Sequence, residues 1–275
     1  MLIDGRRTVE GYSRAERLSS LALPEETLHF YLTLTEIGIA IPTAVALLWI
    51  SAPYGRYARD GWGPKIPARL GWILMELPAC ALYAGIFFFG AHSLELTPLV
   101  LLGIWQLHYF HRTFIFPFRL RAEGKTMPVS IPLMAILFNS LNAYVNARWI
   151  SHLGSYDTSW LLDPRFLVGA AVFATGMAIN LHADTVLIHL RKPGETGYKI
   201  PKGGLYRYIT CPNYFGEIME WIGWAILTWS LAGVAFAVYT AANVGPRAFT
   251  NHRWYLEKFG DEYPKERRAL IPFLL

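Results

Sequence analysis

A carboxylate inside a long apolar run is costly unless it is neutral or paired. Glu76 stands in such a run, RLGWILMELPACALYAGIFFF. As a neutral acid it could donate a hydrogen bond to a developing oxyanion; its bland alternative is a helix–helix hydrogen bond. A second group lies in QLHYFHRTFIFPFR, where His108, Tyr109, His111 and Arg112 fall within five residues. Tyr109 and Arg112, three apart, are expected on one helical face, with the two histidines along another edge. Arg112 suits a phosphate and Tyr109 a substrate oxygen. Metal binding is disfavoured because no further ligands follow at a known spacing, so no metal is expected. The third and largest group runs from Asn180 to Glu217, NLHADTVLIHLRKPGETGYKIPKGGLYRYITCPNYFGE. Asn180, Asp184 and Arg191 are expected on one inward stripe, with Arg191, Lys192, Lys199, Lys202 and Arg207 around its mouth. A plain basic loop explains any one of these lysines. It does not explain Asn180, Asp184, Asn213 and Glu217, which fall inside apolar runs. A dinucleotide phosphate is the partner that best fits the set. No Gly-x-Gly-x-x-Gly follows a strand and no Walker motif is present, so such a ligand must be held by helix ends rather than by a Rossmann domain.

The elements that position these groups are membrane helices. Of the 275 residues, 53% are hydrophobic and 16% charged, against about 25% charged in ordinary soluble domains. Seven segments, roughly 27–51, 67–90, 95–118, 129–150, 164–190, 213–230 and 231–249, are long enough to span. Pro78 should kink the second. The last two must meet in a tight hairpin at Trp229 to Gly233. The expected fold class is an all-α membrane protein of seven transmembrane helices. Residues 1–26 form a non-cytosolic segment, 27–249 the helical domain, and 250–275 an amphipathic cytosolic tail under the bundle. Of the 25 Lys and Arg, about 6 fall on the side of the N-terminus and about 19 on the other, which puts the C-terminus in the cytosol. The net charge of +5 sits in loops, so nucleic acid is a poor partner and membrane lipids good ones. No obligate protein partner is evident. Cys80 and Cys211 lie in or beside apolar segments and are expected as free thiols. The first 20 residues have no apolar core and do not form a signal peptide. A bacterial inner membrane and an endoplasmic reticulum membrane both accommodate this topology.

From about Tyr54 to the C-terminus the chain resembles the steroid 5α-reductases, more closely the type 2 than the type 1 enzyme. The motifs that carry the likeness are ELP at Glu76, HYFHRTF at His108, NLHAD at Asn180, LRKPGETGYKIPKGGLYRY, NYFGEIMEWIGWA, RAFTNHRWYL and YPKERRALIPFLL. The resemblance implies seven-span enzymes that reduce the 4,5 double bond of 3-oxo-Δ4 steroids with NADPH, the steroid entering from the bilayer. It implies that Glu76 and Tyr109 hold the 3-ketone. It also implies that Tyr54, Arg112, Asn180, Asp184, Arg191, Tyr198, Asn213, Glu217, Arg247 and Tyr255 contact the cofactor. Met75 stands where the family pattern has Gln, Asn251 stands in place of a second His, and 119–125 is slightly longer. These departures bear on the substrate side more than on hydride chemistry. Within the reductases, an enoyl thioester or a polyprenal is an alternative substrate. GLYRYITCPNYFGE also resembles the core of isoprenylcysteine-type methyltransferases, but Thr210-Cys211 replaces their Arg-His. A sterol-binding protein without catalysis is a further alternative.

Overall fold

The computed structural model describes residues 23–192 and 194–274. Most of the expected segment 1–26, together with Pro193 and Leu275, lies outside the described residues. Among the described residues, seven helical runs hold most of the regular structure. They are α1 (Glu25–Trp49), α2 (Ala68–Phe88), α3 (Leu96–Phe110), α4 (Ser130–Arg148), α5 (Pro164–His189), α6 (Pro212–Thr228) and α7 (Leu231–Phe259). α3 continues through a π-helical turn, His111–Ile115, into a last turn, Phe116–Arg119; α4 ends in another π turn, Trp149–Leu153. The only strands among the described residues are β1 (Lys65–Pro67) and β2 (Thr126–Pro128), an antiparallel pair with Ile66 opposite Met127. The pair ties the loop before α2 to the loop before α4.

α1, α2 and α5 are long and apolar enough to cross a membrane. Large apolar side chains also point outward on other helices: Leu107 is 58% exposed on α3 and Leu137 74% on α4. Such a coat has no place in water but suits lipid. The chain is a membrane protein with an all-α fold.

At Pro78, which has no N–H to continue the hydrogen-bond ladder, α2 widens into a π turn, Pro78–Leu82. Side chains of α3 dock on the carbonyls of this turn. Trp105 Nε1 donates to Ala79 O (2.7 Å) and Gln106 Nε2 to Cys80 O (2.9 Å). Trp105 then anchors an aromatic core with Tyr83 (ring centroids 4.4 Å apart), Trp221, Trp224 and Phe236. Cys80 and Cys211 are both free and buried, as expected.

The most extensive helix contact joins α5 to α6, and four glycines permit it. A Cβ on Gly216 would lie 2.6 Å from the Asn180 backbone nitrogen, and Gly169, Gly176 and Gly223 meet facing backbone at least as closely. Within lipid, small residues that let backbones approach are a main source of helix association. The hairpin from α6 to α7 is as tight as expected. Trp229 takes a left-handed conformation (φ 45°), and the Ser230 hydroxyl accepts from Gly233 N (3.0 Å) to cap α7.

One expected boundary is absent. α7 does not break near residue 249 but runs unbroken to Phe259, with Pro246 inside it. The helix carries the RAFTNHRWYL motif on its own last turns, and the chain reverses at Gly260 (φ 52°), where a residue without a Cβ is favoured. The tail is therefore the segment after Gly260. It packs Tyr263, Ala269 and Leu270 against the body and pairs its backbone with residues 208–211.

Candidate functional site

Three helices meet at Asp184. It lies on the inner face of α5, held against α6 by the glycine contact, and is 6% exposed. Asn213, on the first turn of α6, donates from Nδ2 to Asp184 Oδ1 (3.2 Å), and its own carbonyl accepts from Asn180 Nδ2 (3.0 Å). Arg112, in the π turn of α3, donates from Nη1 to Asp184 Oδ2 (3.3 Å). Its Nη2 lies 3.8 Å from Glu76 Oε1 on α2. The guanidinium packs over Phe116 (4.3 Å) and Trp72 (5.3 Å). The expected Asn180–Asp184 stripe is thus an inward face. Arg191 is not on it: α5 ends at His189, and Arg191 turns in the following loop to donate to Gly197 O (2.9 Å).

Tyr109 is 3% exposed, set among Trp105 (5.0 Å), Trp221 (5.6 Å) and His108 (4.9 Å). Among the described residues no hydrogen bond joins it to Glu76, whose ionic neighbour is Arg112. His108 donates or accepts at Nδ1 with Glu220 Oε1 (2.7 Å), both side chains buried. The His111 ring lies 6.3 Å from Phe116, while the His108 ring meets Trp221 of α6 (4.8 Å). Glu217 stands one helical turn before Glu220 on the same side of α6. Glu220 is a site residue that periodicity did not single out. Its signal was present: a second carboxyl in the apolar run EIMEWIGWAIL.

A second polar pocket, of about 150 Å³, opens beside Tyr54, Arg56, Tyr57, Tyr214, Arg247 and Asn251. Arg247 donates to the Tyr54 hydroxyl and packs over the Tyr54 and Tyr214 rings, both 5.4 Å away. Tyr57 donates to Asn251 Oδ1 (2.9 Å). Tyr255 is buried behind them, and Tyr198, 42% exposed, meets Trp254 (4.8 Å). Rings connect the two regions: Tyr54 lies 6.2 Å from Trp72, which faces Arg112. Of the twelve residues expected from the sequence, Glu76, Tyr109, Arg112, Asn180, Asp184, Asn213 and Glu217 gather at the first region. Tyr54, Arg247 and Tyr255 gather at the second, and Arg191 and Tyr198 in the loop at its edge (5.8 Å, guanidinium over ring). Burial pushes the Cys211 thiol up to about 12, so it is not a thiolate nucleophile.

Residues 125–275 match the family model described as 3-oxo-5-alpha-steroid 4-dehydrogenase. The steroid 5-alpha-reductase DET2 of Gossypium hirsutum is 47% identical over 254 residues, covering 91% of this chain and 98% of that protein. The 3-oxo-5-alpha-steroid 4-dehydrogenase 1 of Homo sapiens is 48% identical over 226 residues, covering 80% of this chain and 85% of the relative. This chain belongs to the 3-oxo-5-alpha-steroid 4-dehydrogenase family. It is an oxidoreductase of the kind that acts on CH–CH bonds. These relatives are of the DET2 and type 1 kinds, so the expected leaning toward type 2 gains no support from them. For this family member the departure at Met75 is a packing matter: its side chain joins Met127 and Ile131 in a small apolar cluster. The departure at Asn251 is different, because that side chain lines the second pocket.

Proposed function

We propose that the chain reduces the 4,5 double bond of 3-oxo-Δ4 steroids, of the testosterone and progesterone type, to 5α-dihydro steroids, with NADPH as cofactor. The observation that carries this reading is the meeting of Glu76, Arg112 and Asp184 from three helices, one turn from Tyr109. The two regions fit a dinucleotide: one largely buried and acid-rich beside a phenol, the other with guanidinium groups that have no carboxylate within ion-pair distance among the described residues and are bounded by aromatic rings. Arg112, Asn180, Asp184, Asn213 and Glu217 would hold the nicotinamide half. Tyr54, Arg191, Tyr198, Arg247 and Tyr255 would hold the adenosine half. When bound, the cofactor supplies the hydride that C5 receives.

The chain's own work is electrostatic. Hydride can add to the β-carbon of an enone only if the carbonyl oxygen takes up negative charge. Tyr109 donates to the 3-oxygen as that charge develops, and Glu76 approaches the same oxygen from α2. A single donor of this kind contributes about 3 kcal/mol to the transition state. The parallel is the tyrosine and neutral acid of ketosteroid isomerase, a worked example of the same principle. The aromatic walls around Tyr109 exclude water and keep its hydroxyl aimed. The His108–Glu220 contact ties α3 to α6 and so fixes Tyr109 relative to Glu217. The apolar outer face admits a sterol from lipid.

The seven helical runs are read as seven spans, with the N-terminus outside and the C-terminus, the 191–212 loop and the second pocket in the cytosol, where nicotinamide cofactors are available. About 19 of 25 basic residues then face inward. Testosterone and progesterone are offered to the purified chain with NADPH deuterated at C4. A 5α-dihydro product carrying deuterium at C5 is expected. NADPH binding without product would move the substrate to another enone lipid, and neither binding nor product would end the reductase reading.

A further inference from the structure

Glu36 has no part in the reaction described above, and its surroundings do not account for it. It stands in the middle of α1 and is 0% exposed. Neither carboxyl oxygen has a hydrogen-bond partner among the described residues. The buried face of α1 is the stripe His29, Thr33, Glu36 and Ala40, at helical spacing. α1 packs chiefly on α7, and its first turns also meet α4. There Arg148 Nε donates to Glu25 Oε1 (2.6 Å) and His29 Nε2 to Val145 O (2.8 Å), so α1 and α4 run in opposite directions. Moving from His29 toward Glu36 on α1 therefore leads from Val145 toward Asn142 on α4. Asn142 carries a second polar atom without a partner: its Oδ1 accepts from Asn146 Nδ2 (2.8 Å), but its own Nδ2 is buried and unpaired among the described residues.

A carboxyl at this depth is uncharged when no cation pairs with it. A neutral acid has one O–H to donate and a carbonyl oxygen to accept, and leaving both unmade in the core is destabilising. A hydroxyl or carbonyl oxygen of a ligand would relieve that. Aromatic rings lead to this place from the reacting groups. Tyr109 packs on Trp221 (5.6 Å), Trp221 on Phe236 (4.2 Å), Phe236 on Phe138 (6.3 Å) and Phe138 on Tyr239 (3.5 Å). Tyr239 is within electrostatic reach of Glu36. Apolar, ring-lined walls with a polar group at each end are the usual make-up of a small-molecule site, and the polar groups fix orientation. On the steroid reading given above, Glu76 and Tyr109 hold the 3-oxygen. Glu36, on a different wall of the bundle, is left for the far end of the skeleton. We propose that Glu36 is a specificity-determining residue: it hydrogen-bonds a hydroxyl or carbonyl oxygen at the ring end remote from the 3-oxygen, and so makes the chain favour steroids oxygenated there over those that end in hydrocarbon.

The test compares three steroids that differ only at the 17-position: testosterone with a hydroxyl, androst-4-ene-3,17-dione with a carbonyl, and androst-4-en-3-one with neither. Each is offered with NADPH to the full chain in detergent, and kcat/KM is measured. The wild-type chain should favour the two oxygenated steroids over androst-4-en-3-one by about 10- to 100-fold, the size of one buried hydrogen bond made or left unmade. Glu36→Leu, apolar and of similar bulk, should bring the three values together, mainly by raising KM for the oxygenated pair. Glu36→Gln, which can still donate and accept, should keep most of the preference. A residue that only supports the fold would move all three steroids alike. Because the preference is a ratio taken within each variant, a smaller folded fraction cancels from it, and Glu36→Met serves as a second apolar replacement. A Glu36→Leu or Glu36→Met chain that keeps the whole preference overturns the assignment. So does a wild-type chain that reduces all three steroids equally well, and that result leaves the steroid reading standing. Reduction of none of them, with NADPH bound, removes the steroid reading and this inference with it.

Discussion

Arg112 is a largely buried cation facing two carboxylates, buried Asp184 and partly buried Glu76, and they are not equivalent partners. Asp184 is the nearer, at 3.3 Å, and is itself held by Asn213; Glu76, at 3.8 Å, is the looser. Removing one partner of a buried pair typically costs about 3–5 kcal/mol because the other charge is stranded. Here Glu76 can lose its charge while Arg112 stays paired to Asp184. Glu76→Gln is therefore expected to fold and to bind NADPH with unchanged affinity. Its kcat should fall by about 10²- to 10³-fold, the usual result of losing one oxyanion contact. Steady-state kinetics with nucleotide binding measured in parallel checks this, and a fully active variant would remove Glu76 from the reaction. The inward placement of Glu76, Arg112 and Asp184 was legible in the sequence because charge inside apolar runs has few explanations. The partnership of His108 with Glu220 was not, since it depends on how α3 and α6 are rotated against each other.

At the scale of elements, the site depends on how closely α5 approaches α6. Asn180 and Asp184 reach Asn213 because Gly216 and Gly223 bring the facing backbones together. Gly223→Leu would drive a branched side chain into the Phe173 backbone. Overpacking of this kind costs about 1–3 kcal/mol, and more where backbone must move. The helices would separate, and the Arg112–Asp184–Asn213 chain would lose its register. Reduced thermal stability and loss of nucleotide binding are expected together; a variant that keeps both would show that the glycine contact does not position the site. Hydrophobic runs located the first six helices and the start of α7 to within a few residues, since length and composition decide where a span begins; they missed the end of α7, ten residues further on. They did not reveal the π turns at Pro78–Leu82 and His111–Ile115. Each inserts a residue into the turn, which changes the angular spacing of the side chains that follow it along the helix.

Over the whole molecule, the tail after α7 folds back onto the loop that leads into α6. Thr210 N and Cys211 N donate to the carbonyls of Arg268 and Ala269, and Arg268 N donates to Tyr208 O. This backbone pairing holds the loop that leads into α6, and with it Asn213. One side-chain node locks the arrangement: the Thr210 hydroxyl lies 2.6 Å from His252 Nδ1 and 2.7 Å from the Tyr263 hydroxyl. Burial, with the nearby Arg268 charge, lowers the His252 pKa below its ordinary 6.5. With the tail docked the imidazole is thus neutral, whereas with the tail undocked it would take a proton near 6.5. Docking is at full strength above that value and weakens as pH falls through it toward the lower folded value. Hydrogen exchange at the Thr210, Cys211 and Arg268 amides should therefore quicken, after correction for intrinsic rates, between about pH 7 and pH 5. His252→Gln, which keeps a polar group but cannot titrate, should remove that dependence. The same weakening in the variant would assign it to another group. Because Asn213 follows the loop so closely, nucleotide affinity should fall over the same pH range in the wild-type chain and stay level in His252→Gln.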